Sequence, residues 1–224
     1  LENGASFKTK AVIYTQDRAS ASSGGFYKIN RKTPFVKEFK DVAFSLAEGE
    51  KKNEKKIPLN TMNYELREML PSDETRVLEI FRQGVDGGIA TLETEVPTAE
   101  AWSMEYFNDC RWVLENENNE VIGWCALKPI SKRESFKGVA EVSIYFDKEY
   151  QGKGLGSVLL KKIILDSEDH GFWTLQTNLF SENEMAIKSH EKNGFRTVGV
   201  RKKIGKLNGE WKDLVMMEKR SEII

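Results

Sequence analysis

A glycine-rich turn between a predicted strand and a predicted helix is the feature that most constrains how this chain folds. Residues 151–156 read Gln-Gly-Lys-Gly-Leu-Gly. Residues 141–146 before the turn have the composition of a strand, and residues 157–165 after it have the composition of a helix. The free amides and dipole at a helix N-terminus attract phosphate, and glycines let the backbone approach it closely. The turn therefore predicts a phosphate-binding site where a strand leads into a helix.

The glycine spacing excludes two common nucleotide sites. A P-loop requires Gly-Lys followed by Ser or Thr, and a dinucleotide-binding turn requires Gly-x-Gly-x-x-Gly. Neither pattern is present at this turn. On the turn alone, an ordinary glycine-rich connection without a ligand is an equal alternative.

The composition is typical of a soluble protein without a nucleic-acid partner. The 224 residues include 34 basic and 35 acidic ones, for a net charge of −1, so no basic patch is implied. No apolar run approaches the length of a membrane span, and no signal peptide is visible. Cys110 and Cys125 lack metal-ligand spacing and lie among apolar residues, which predicts reduced buried thiols, no metal and a cytoplasmic location. The chain begins at Leu1 rather than methionine, which indicates a native N-terminus that is missing or processed.

A charged stretch at residues 48–56 divides the chain into two parts. We expect residues 1–55 to form an N-terminal segment with this linker, and residues 62–220 to form the main domain. Residues 7–50 resemble the middle of a parvulin-type peptidyl-prolyl isomerase, but the opening and closing strands of that family have no counterpart here. We therefore expect a partly ordered extension rather than a second enzyme.

The sequence patterns of the second part predict helices and strands in the order β-α-α-β-β-β-α-β-α-β-β. The helix that begins near Pro71 should bury Val77, Ile80, Phe81 and Val85 on one face. Thr98 is expected to cap the second helix, and Ser181 to open the last one through a capping box with Glu184. Strands are expected at residues 64–70, 111–114, 120–127, 139–146, 172–179, 195–200 and 211–217.

Several motifs in this order resemble the GCN5-related N-acetyltransferases, and within them the phosphinothricin acetyltransferase branch. The motifs span residues 62–220 and are Gly88-Ile-Ala-Thr91, Glu95-Val-Pro97, Glu141-Val-Ser-Ile-Tyr145, the glycine turn, Ser189-His-Glu191, Gly194-Phe195 and Gly209-Glu-Trp-Lys-Asp213. The resemblance implies an α/β (α+β) fold with a mixed, mainly antiparallel central sheet flanked by helices. It also implies acetyl transfer from acetyl-CoA to the amine of a small amino acid or amino-acid analogue. Relatives are commonly dimers, so a homodimer is expected.

The resemblance assigns acetyl-CoA to the glycine turn and to the strand before it. The residues it implies as cofactor contacts are Ile144, Tyr145, Phe146, Gln151, Gly152, Lys153, Gly154, Leu155, Gly156, Ser157 and Asn183. An amide near Ile144 would also polarise the thioester oxygen. For Asn183, a purely structural position in the first turn of a helix is an equal alternative.

Two residues are predicted to be catalytic. Glu141 is the expected base: its sequence neighbours are apolar, and such surroundings would raise the pKa of the carboxyl group towards the working range. His190 stands where many acetyltransferases have a tyrosine near the coenzyme sulfur. It would protonate the leaving thiolate or form a hydrogen bond to the cofactor.

The acceptor pocket is the least determined part of the prediction. Phe81, Arg82, Thr91 and Trp124 are candidates for its lining, although Trp124 also suits the core or a dimer interface. A substrate carboxylate would pair with Arg82 or with another basic residue, Lys128 or Arg133. Many relatives have Tyr-Asn where this chain has Phe81-Arg82, so the sequence leaves the identity of the acceptor molecule undecided. A protein N-terminus, a polyamine, or a folding or binding function of the parvulin-like segment are the alternatives.

Overall fold

The computed structural model describes residues 64–224. The predictions for the linker and for the parvulin-like segment lie outside these residues. None of the described helices is long and apolar enough to cross a lipid bilayer.

The described chain follows the predicted order of helices and strands. The helices are α1 (Glu74–Gly87), α2 (Ala99–Glu105), α3 (Gly156–Asp169) and α4 (Glu184–Lys192). The strands are β1 (Tyr64–Glu68), β2 (Trp112–Asn116), β3 (Val121–Pro129), β4 (Val139–Phe146), β5 (Thr174–Phe180), β6 (Arg196–Leu207) and β7 (Glu210–Arg220).

The seven strands form one mixed sheet in the order β1-β2-β3-β4-β5-β7-β6. All neighbours are antiparallel except β4 and β5, which run parallel and are connected through α3. This arrangement confirms the predicted mixed, mainly antiparallel sheet. A parallel pair needs such a crossover connection, and the glycine turn at its start leads from β4 into α3.

Helices cover both faces of the sheet because the strand side chains alternate. On β3, Trp124 and Ala126 pack with α1 and α2 in one hydrophobic cluster. Cys125 and Leu127 point the other way and pack with α3 in a second cluster. From Val121 to Leu127, β3 therefore has no solvent-facing side, which explains its nearly continuous apolar sequence.

Capping residues fix the helix boundaries. The Thr98 side chain accepts a hydrogen bond from the Ala101 amide, as predicted. Gly88 ends α1 with φ 68°, a conformation that glycine adopts without strain. The predicted capping box at Ser181 is wrong: the residue that caps α4 is Asn183, whose side chain accepts from the Ala186 amide. The segment Ser-Glu-Asn-Glu contains two residues suited to capping, and the one nearer the helix takes the position.

The hairpin of β6 and β7 extends further than the sequence predicts. Both strands continue past the expected ends at residues 200 and 217, and the turn between them holds Asn208 and Gly209 at positive φ. Asn-Gly is a strong hairpin signal, and its pairing carries the two strands outward from the sheet. A register shift lies between Arg201 and Gly205 on β6.

Candidate active site

Strand β4 is paired along its whole length on one side and only at its start on the other. Seven residue pairs join it to β3, from Gly123↔Phe146 to Pro129↔Ala140. Only three join it to β5, and the last is Glu141↔Gln176. Beyond Glu141 the two strands diverge. A slot therefore opens in the middle of the sheet, and we call it the β4–β5 slot.

Backbone groups of β4 face into this slot. The amide of Asp147, just after β4, donates to the Ile122 carbonyl of β3 at 2.9 Å. Because backbone groups alternate in direction along a strand, those of Phe146 and Ile144 point the opposite way, towards β5. The predicted cofactor contacts on β4 thus include two residues whose peptide groups are free of β5. The Phe146 carbonyl accepts a hydrogen bond from Gln151 Nε2 at 3.0 Å.

The glycine turn follows the open end of the slot. Gly152 and Gly154 have φ of 74° and 78°, a region that other residues avoid. The cap position of α3 is Leu155, whose side chain caps no amide, and the first turn contains no acidic residue. The N-terminus of α3 thus keeps the positive field that attracts a phosphate, while the Ser157 and Val158 amides donate to the carbonyls of Gly154 and Leu155 in the turn.

Helix α4 borders the same turn. The position of a Cβ on Gly152 is 3.6 Å from Met185, and that on Gly156 is 3.8 Å from Ser189. Ser157 at the start of α3 contacts Ser189 Oγ at 3.4 Å and accepts a hydrogen bond from Asn193 at 3.1 Å. Lys153 lies with its ammonium group 4.7 Å from the ring centre of Tyr150. The sequence-predicted turn residues are therefore assembled in one place.

Glu141 lies at the point where β4 and β5 separate. Asn178 of β5 donates to its Oε2 atom at 2.9 Å, and Lys128 Nζ lies 3.4 Å from Oε1. The expected apolar setting was wrong. Ala140 and Val142, its neighbours in sequence, are buried on the opposite face of the sheet because side chains alternate along a strand.

A cavity of about 560 Å³ opens beside Glu141. It is bounded by β4 and β5, by the segment between α1 and α2, and by residues of β6 and β7. Phe81 and Thr91 line it as predicted, together with Ile144 and Tyr145. On the aromatic side of the cavity, the Phe81 and Tyr145 rings pack edge to face, with their centres 5.0 Å apart.

Two of the predicted pocket residues do not lie on the cavity wall. Trp124 is wholly buried and stacks behind Tyr145, with ring centres 4.9 Å apart. Arg82 is exposed on α1, next to Phe81 but outside the lining. Residues adjacent on a helix point in directions about 100° apart, so Phe81 and Arg82 do not share a face.

Charged residues line the cavity, with acids in excess. The acids are Glu93, Glu95, Glu105 and Glu141, and the bases are Lys128 and Arg201. Lys128 pairs with both Glu105, at 3.2 Å, and Glu141. Burial acts to lower the pKa of Lys128, but these carboxylates raise it overall, so the residue stays charged. Of the three bases predicted to meet a substrate carboxylate, only Lys128 belongs to the lining.

His190 is buried near the end of α4 and is not among the residues that line the cavity. Its Nδ1 lies 2.8 Å from the Ala186 carbonyl, which only accepts, so we assign the ring proton to Nδ1. Nε2 then carries a lone pair, and it has no partner among the described residues. Burial lowers the pKa of His190, only partly opposed by the Ala186 bond, and this favours the neutral ring.

The Asn183 side chain is already engaged. Besides capping α4, it donates from Nδ2 to the Ile89 carbonyl at 3.3 Å. These two bonds fit the structural alternative that the sequence left open, while a cofactor contact stays a prediction.

Sequence reasoning missed Asn178, Arg201 and the three acids other than Glu141. Asn178 reaches Glu141 only because β5 lies beside β4 in the sheet, and no local signal marks that contact. Glu93 and Glu95 lie in a segment that reads as an ordinary polar loop.

The site thus combines a phosphate-attracting helix start, a split sheet with free peptide groups, and a cavity containing a carboxylate. The model of the family described as "Acetyltransferase (GNAT) family" matches residues 76–195, from α1 to just after α4. The chain belongs to this acetyltransferase family. It is an acetyl-CoA-dependent N-acetyltransferase, as the motifs predict.

Relatives with known names support the same branch of the family. YwnH of Bacillus subtilis, named as a candidate phosphinothricin acetyltransferase, is 31% identical over 150 residues, covering 65% of this chain and 91% of that protein. The L-methionine sulfoximine/L-methionine sulfone acetyltransferase of Pseudomonas paraeruginosa is 27% identical over 164 residues, or 70% of this chain and 94% of that one.

A solved structure is also similar in fold. The phosphinothricin acetyltransferase of Sinorhizobium meliloti, crystallised with acetyl-CoA, superposes with a TM-score of 0.66 at 26% identity. The match covers 71% of this chain and 89% of that one.

Proposed function

We propose that this N-acetyltransferase acetylates the primary amine of a small amino acid or amino-acid analogue, of the phosphinothricin or methionine sulfoximine type. The observation that carries the proposal is the position of Glu141, which lies at the start of the β4–β5 slot and on the wall of the acceptor cavity. Relatives named for these two substrates support the substrate class.

In this proposal the glycine turn and the slot hold acetyl-CoA. The amides at the start of α3 bind the pyrophosphate, and residues 151–157 form the binding segment. The free peptide groups of Ile144 and Phe146 pair with the pantetheine arm as an added strand would. Gln151 gives up its bond to the Phe146 carbonyl when a ligand amide takes that place.

Glu141 acts as the base. An acceptor amine enters as an ammonium ion and must lose a proton before it attacks the thioester. The Glu141 carboxylate takes this proton directly or through water. Asn178 and Lys128 contact the carboxylate from two sides and fix its position on the cavity wall.

His190 supports the cofactor rather than serving as a proton store. A buried ring with a lowered pKa is neutral near pH 7, and its one N–H proton lies on Nδ1 and donates to the Ala186 carbonyl, so Nε2 holds no proton to give to a thiolate. Its unpartnered Nε2 is instead an acceptor, suited to a hydrogen-bond donor of the cofactor. Of the two roles that the sequence suggests, the structure favours cofactor contact.

The acid-rich cavity favours a second candidate acceptor, a polyamine or a peptide N-terminus. Four carboxylates against two bases attract a cationic molecule, and the Lys128 charge is already paired. A phosphinothricin-like acceptor carries two anionic groups, and the basic residues of the cavity lining, among the residues that the structure describes, are Arg201 and Lys128. The amino-acid proposal therefore depends on these two residues.

An acceptor panel separates the candidates. CoA release from acetyl-CoA is measured with phosphinothricin, methionine sulfoximine, neutral amino acids, spermidine and a short peptide with a free N-terminus. We expect turnover with the amino-acid group, and a drop when Arg201 is changed to Gln. Turnover confined to spermidine or the peptide would replace the proposal by the second candidate.

We also propose a homodimer in the cytoplasm, with residues 62–220 forming the catalytic domain behind an N-terminal extension at 1–55. Free buried thiols at Cys110 and Cys125 are compatible with a reducing compartment. The exposed edge strand β6 carries Val198 and Val200, about half exposed, which suits an interface. Light scattering on the full chain and on a Val200→Lys variant tests the dimer, which the charge should weaken.

A further inference from the structure

A second group of chemically active side chains lies at the opposite end of α3 from the glycine turn. Cys110 precedes β2, while Asp166 and His170 occupy the last turn and the C-cap of α3. Asp166 is ten residues beyond Gly156, which corresponds to about 15 Å along the helix. We call these three residues the Cys110 cluster. It shares no residue with the transferase site.

The distances within the Cys110 cluster match those of a shared metal ion. One ligand atom of each residue lies within 4.8 Å of the others. Cys110 Sγ is 3.5 Å from His170 Nδ1, close to the roughly 3.6 Å that separates sulfur and nitrogen across tetrahedral zinc. Asp166 Oδ1 is 3.9 Å from the same nitrogen, so a small side-chain rotation completes the set.

The surroundings hold two of the ligands in place. Trp112 Nε1 donates to Asp166 Oδ2 at 2.8 Å, and the same carboxylate also accepts from the Cys110 thiol and faces His170 through Oδ1. A carboxylate fixed through one oxygen is the usual arrangement of a supported metal ligand. Cys110 has φ 60°, a left-handed conformation that is costly outside glycine and that turns its side chain towards α3.

The solvent exposure of the three side chains in the Cys110 cluster increases from the core to the surface. Cys110 is buried, Asp166 is 15% exposed and His170 is 39% exposed at the side chain. An ion can therefore enter from the His170 side and meet the thiol last. Three protein ligands leave the fourth tetrahedral position to solvent.

We propose that Cys110, Asp166 and His170 form a binding site for one borderline-soft divalent metal ion, with Zn²⁺ as the best match. Thiolate, imidazole and carboxylate together are typical of zinc and are unsuited to Mg²⁺ or Ca²⁺. The two cysteines alone gave no such signal in the sequence, because the partners of Cys110 come from a helix some 60 residues later.

Binding of the metal ion displaces one proton and moves another. The Cys110 thiol loses its proton to solvent and forms the metal–sulfur bond. His170 gives up its Nδ1 contact with the Asp166 carbonyl, 2.8 Å long, and its proton moves to Nε2, so the ring stays neutral. The ion then joins the segment before β2 to the end of α3, which stabilises the fold without touching the acetyl-transfer centre.

The test uses the untagged full chain, since the sequence contains only two cysteines and two histidines. Zn²⁺ is titrated by calorimetry, and Co²⁺ is added as a spectroscopic probe of sulfur ligation. We expect one ion per chain, a thiolate-to-cobalt charge-transfer band, and a higher Tm with Zn²⁺. The acetyl-CoA-induced rise in Tm should be the same with and without Zn²⁺.

Matched variants identify the ligands. Cys110→Ser should abolish the cobalt band, whereas Cys125→Ala, which removes the other buried thiol, should keep it. His170→Gln changes a partly exposed side chain and should weaken Zn²⁺ binding at least tenfold with the fold intact. Trp112→Phe removes the hydrogen bond to Asp166 while keeping an aromatic ring beside Lys162, and we expect roughly 10–100-fold weaker binding.

The proposal is overturned if Zn²⁺ changes neither the Tm nor the calorimetric trace of the chain. It is also overturned if the cobalt complex lacks a sulfur charge-transfer band, or if that band survives Cys110→Ser. Unchanged Zn²⁺ affinity in His170→Gln would also exclude the site, even if the serine variant failed to fold.

Discussion

The two sides of β4 differ in how far they are paired, with seven residue pairs to β3 and three to β5. On the β3 side, peptide groups and side chains are paired along the whole strand, and Trp124 stacks on Tyr145. On the β5 side, pairing stops at Glu141 and the peptide groups beyond it are left for a ligand. One strand thus holds the fold together along one edge and provides the binding surface along the other. Substitutions on the two edges should therefore have different consequences.

The largest effect is expected for Glu141→Gln, on the open edge. The change keeps the shape of the side chain but removes the proton acceptor, so turnover should fall by roughly 10²–10⁴-fold while acetyl-CoA affinity changes little. Turnover should recover as pH rises, because free amine then forms without the enzyme. Full pH–rate profiles at saturating acceptor measure both effects.

Two companion variants sharpen this result. Glu105→Gln removes another cavity carboxylate that pairs with Lys128 and should lower turnover far less. His190→Gln should weaken cofactor binding, with little recovery at high pH. If the Glu141→Gln enzyme has wild-type rates across the whole pH range, Glu141 is not the base and its role is structural.

The next effect in size concerns the glycine turn that continues the open edge. Gly154→Glu places a bulky acid at a position with φ 78°, facing the expected pyrophosphate. Acetyl-CoA at 100 times its Kd should stabilise the wild type by about 2.7 kcal/mol, and this gain should vanish in the variant. Thermal melts with and without acetyl-CoA measure it.

Gly209→Glu is the matched control for this strain. Gly209 also has positive φ and, like Gly154, has open space where a Cβ would stand, but it lies in the β6–β7 turn. The Gly209→Glu variant should lose a similar amount of stability in the absence of ligand, and its Tm should still rise with acetyl-CoA. If the wild type itself shows no rise in Tm with excess acetyl-CoA, the assignment of the glycine turn fails.

On the paired edge, Gly123→Ala should damage stability first. A Cβ at this position would overlap the Phe146 ring across the β3–β4 pair. We expect a loss of about 1–3 kcal/mol in the free energy of unfolding, measured by urea denaturation, because overpacking forces neighbours apart. Residual turnover per folded molecule should stay within a few-fold of wild type. A stable protein with impaired acetyl-CoA binding would show that the two edges are not separable.

The smallest effect is expected from deletion of residues 1–60. The described residues that form the edges of β4, the glycine turn and the acceptor cavity all lie after residue 63, and so do all the acetyltransferase motifs. The truncated protein should therefore keep its acetyl-CoA response and its turnover. Loss of turnover in a truncated chain that still melts cooperatively would show that the N-terminal segment contributes to the site.

Much of the fold follows from local patterns in the sequence. The order of elements, the bounds of β4 and the cap at Thr98 all come from periodicity and turn chemistry, and the structure agrees with them. The motifs likewise identified the family and acetyl-CoA. These features depend on residues close together in the chain.

What could not be predicted depends on contacts between distant segments. The pairing of β4 with β5 ends at Glu141 because the strands diverge, and no residue near Glu141 encodes that divergence. Sequence neighbours suggested an apolar setting for this carboxylate, whereas Asn178 and Lys128 reach it from two other strands. Arg82 lies outside the cavity lining for a similar reason, since the packing of α1 on the sheet decides which of its side chains reach the cavity.

The short β4–β5 pairing also has a mechanical consequence. It divides the sheet into one block of β1–β4 and another of β5–β7, each joined internally by longer ladders. In the described residues, the three pairs from Val139 to Glu141 form the ladder between the blocks, and a shared hydrophobic cluster that includes Leu127 and Met217 also joins them. We expect the slot to widen more easily at its far end than at Glu141, since the strands beyond these pairs are linked by the weak contact from Thr177 Oγ1 to the Val142 carbonyl at 3.4 Å. Such local widening would admit a long, flexible cofactor while the ladders on both walls stay intact.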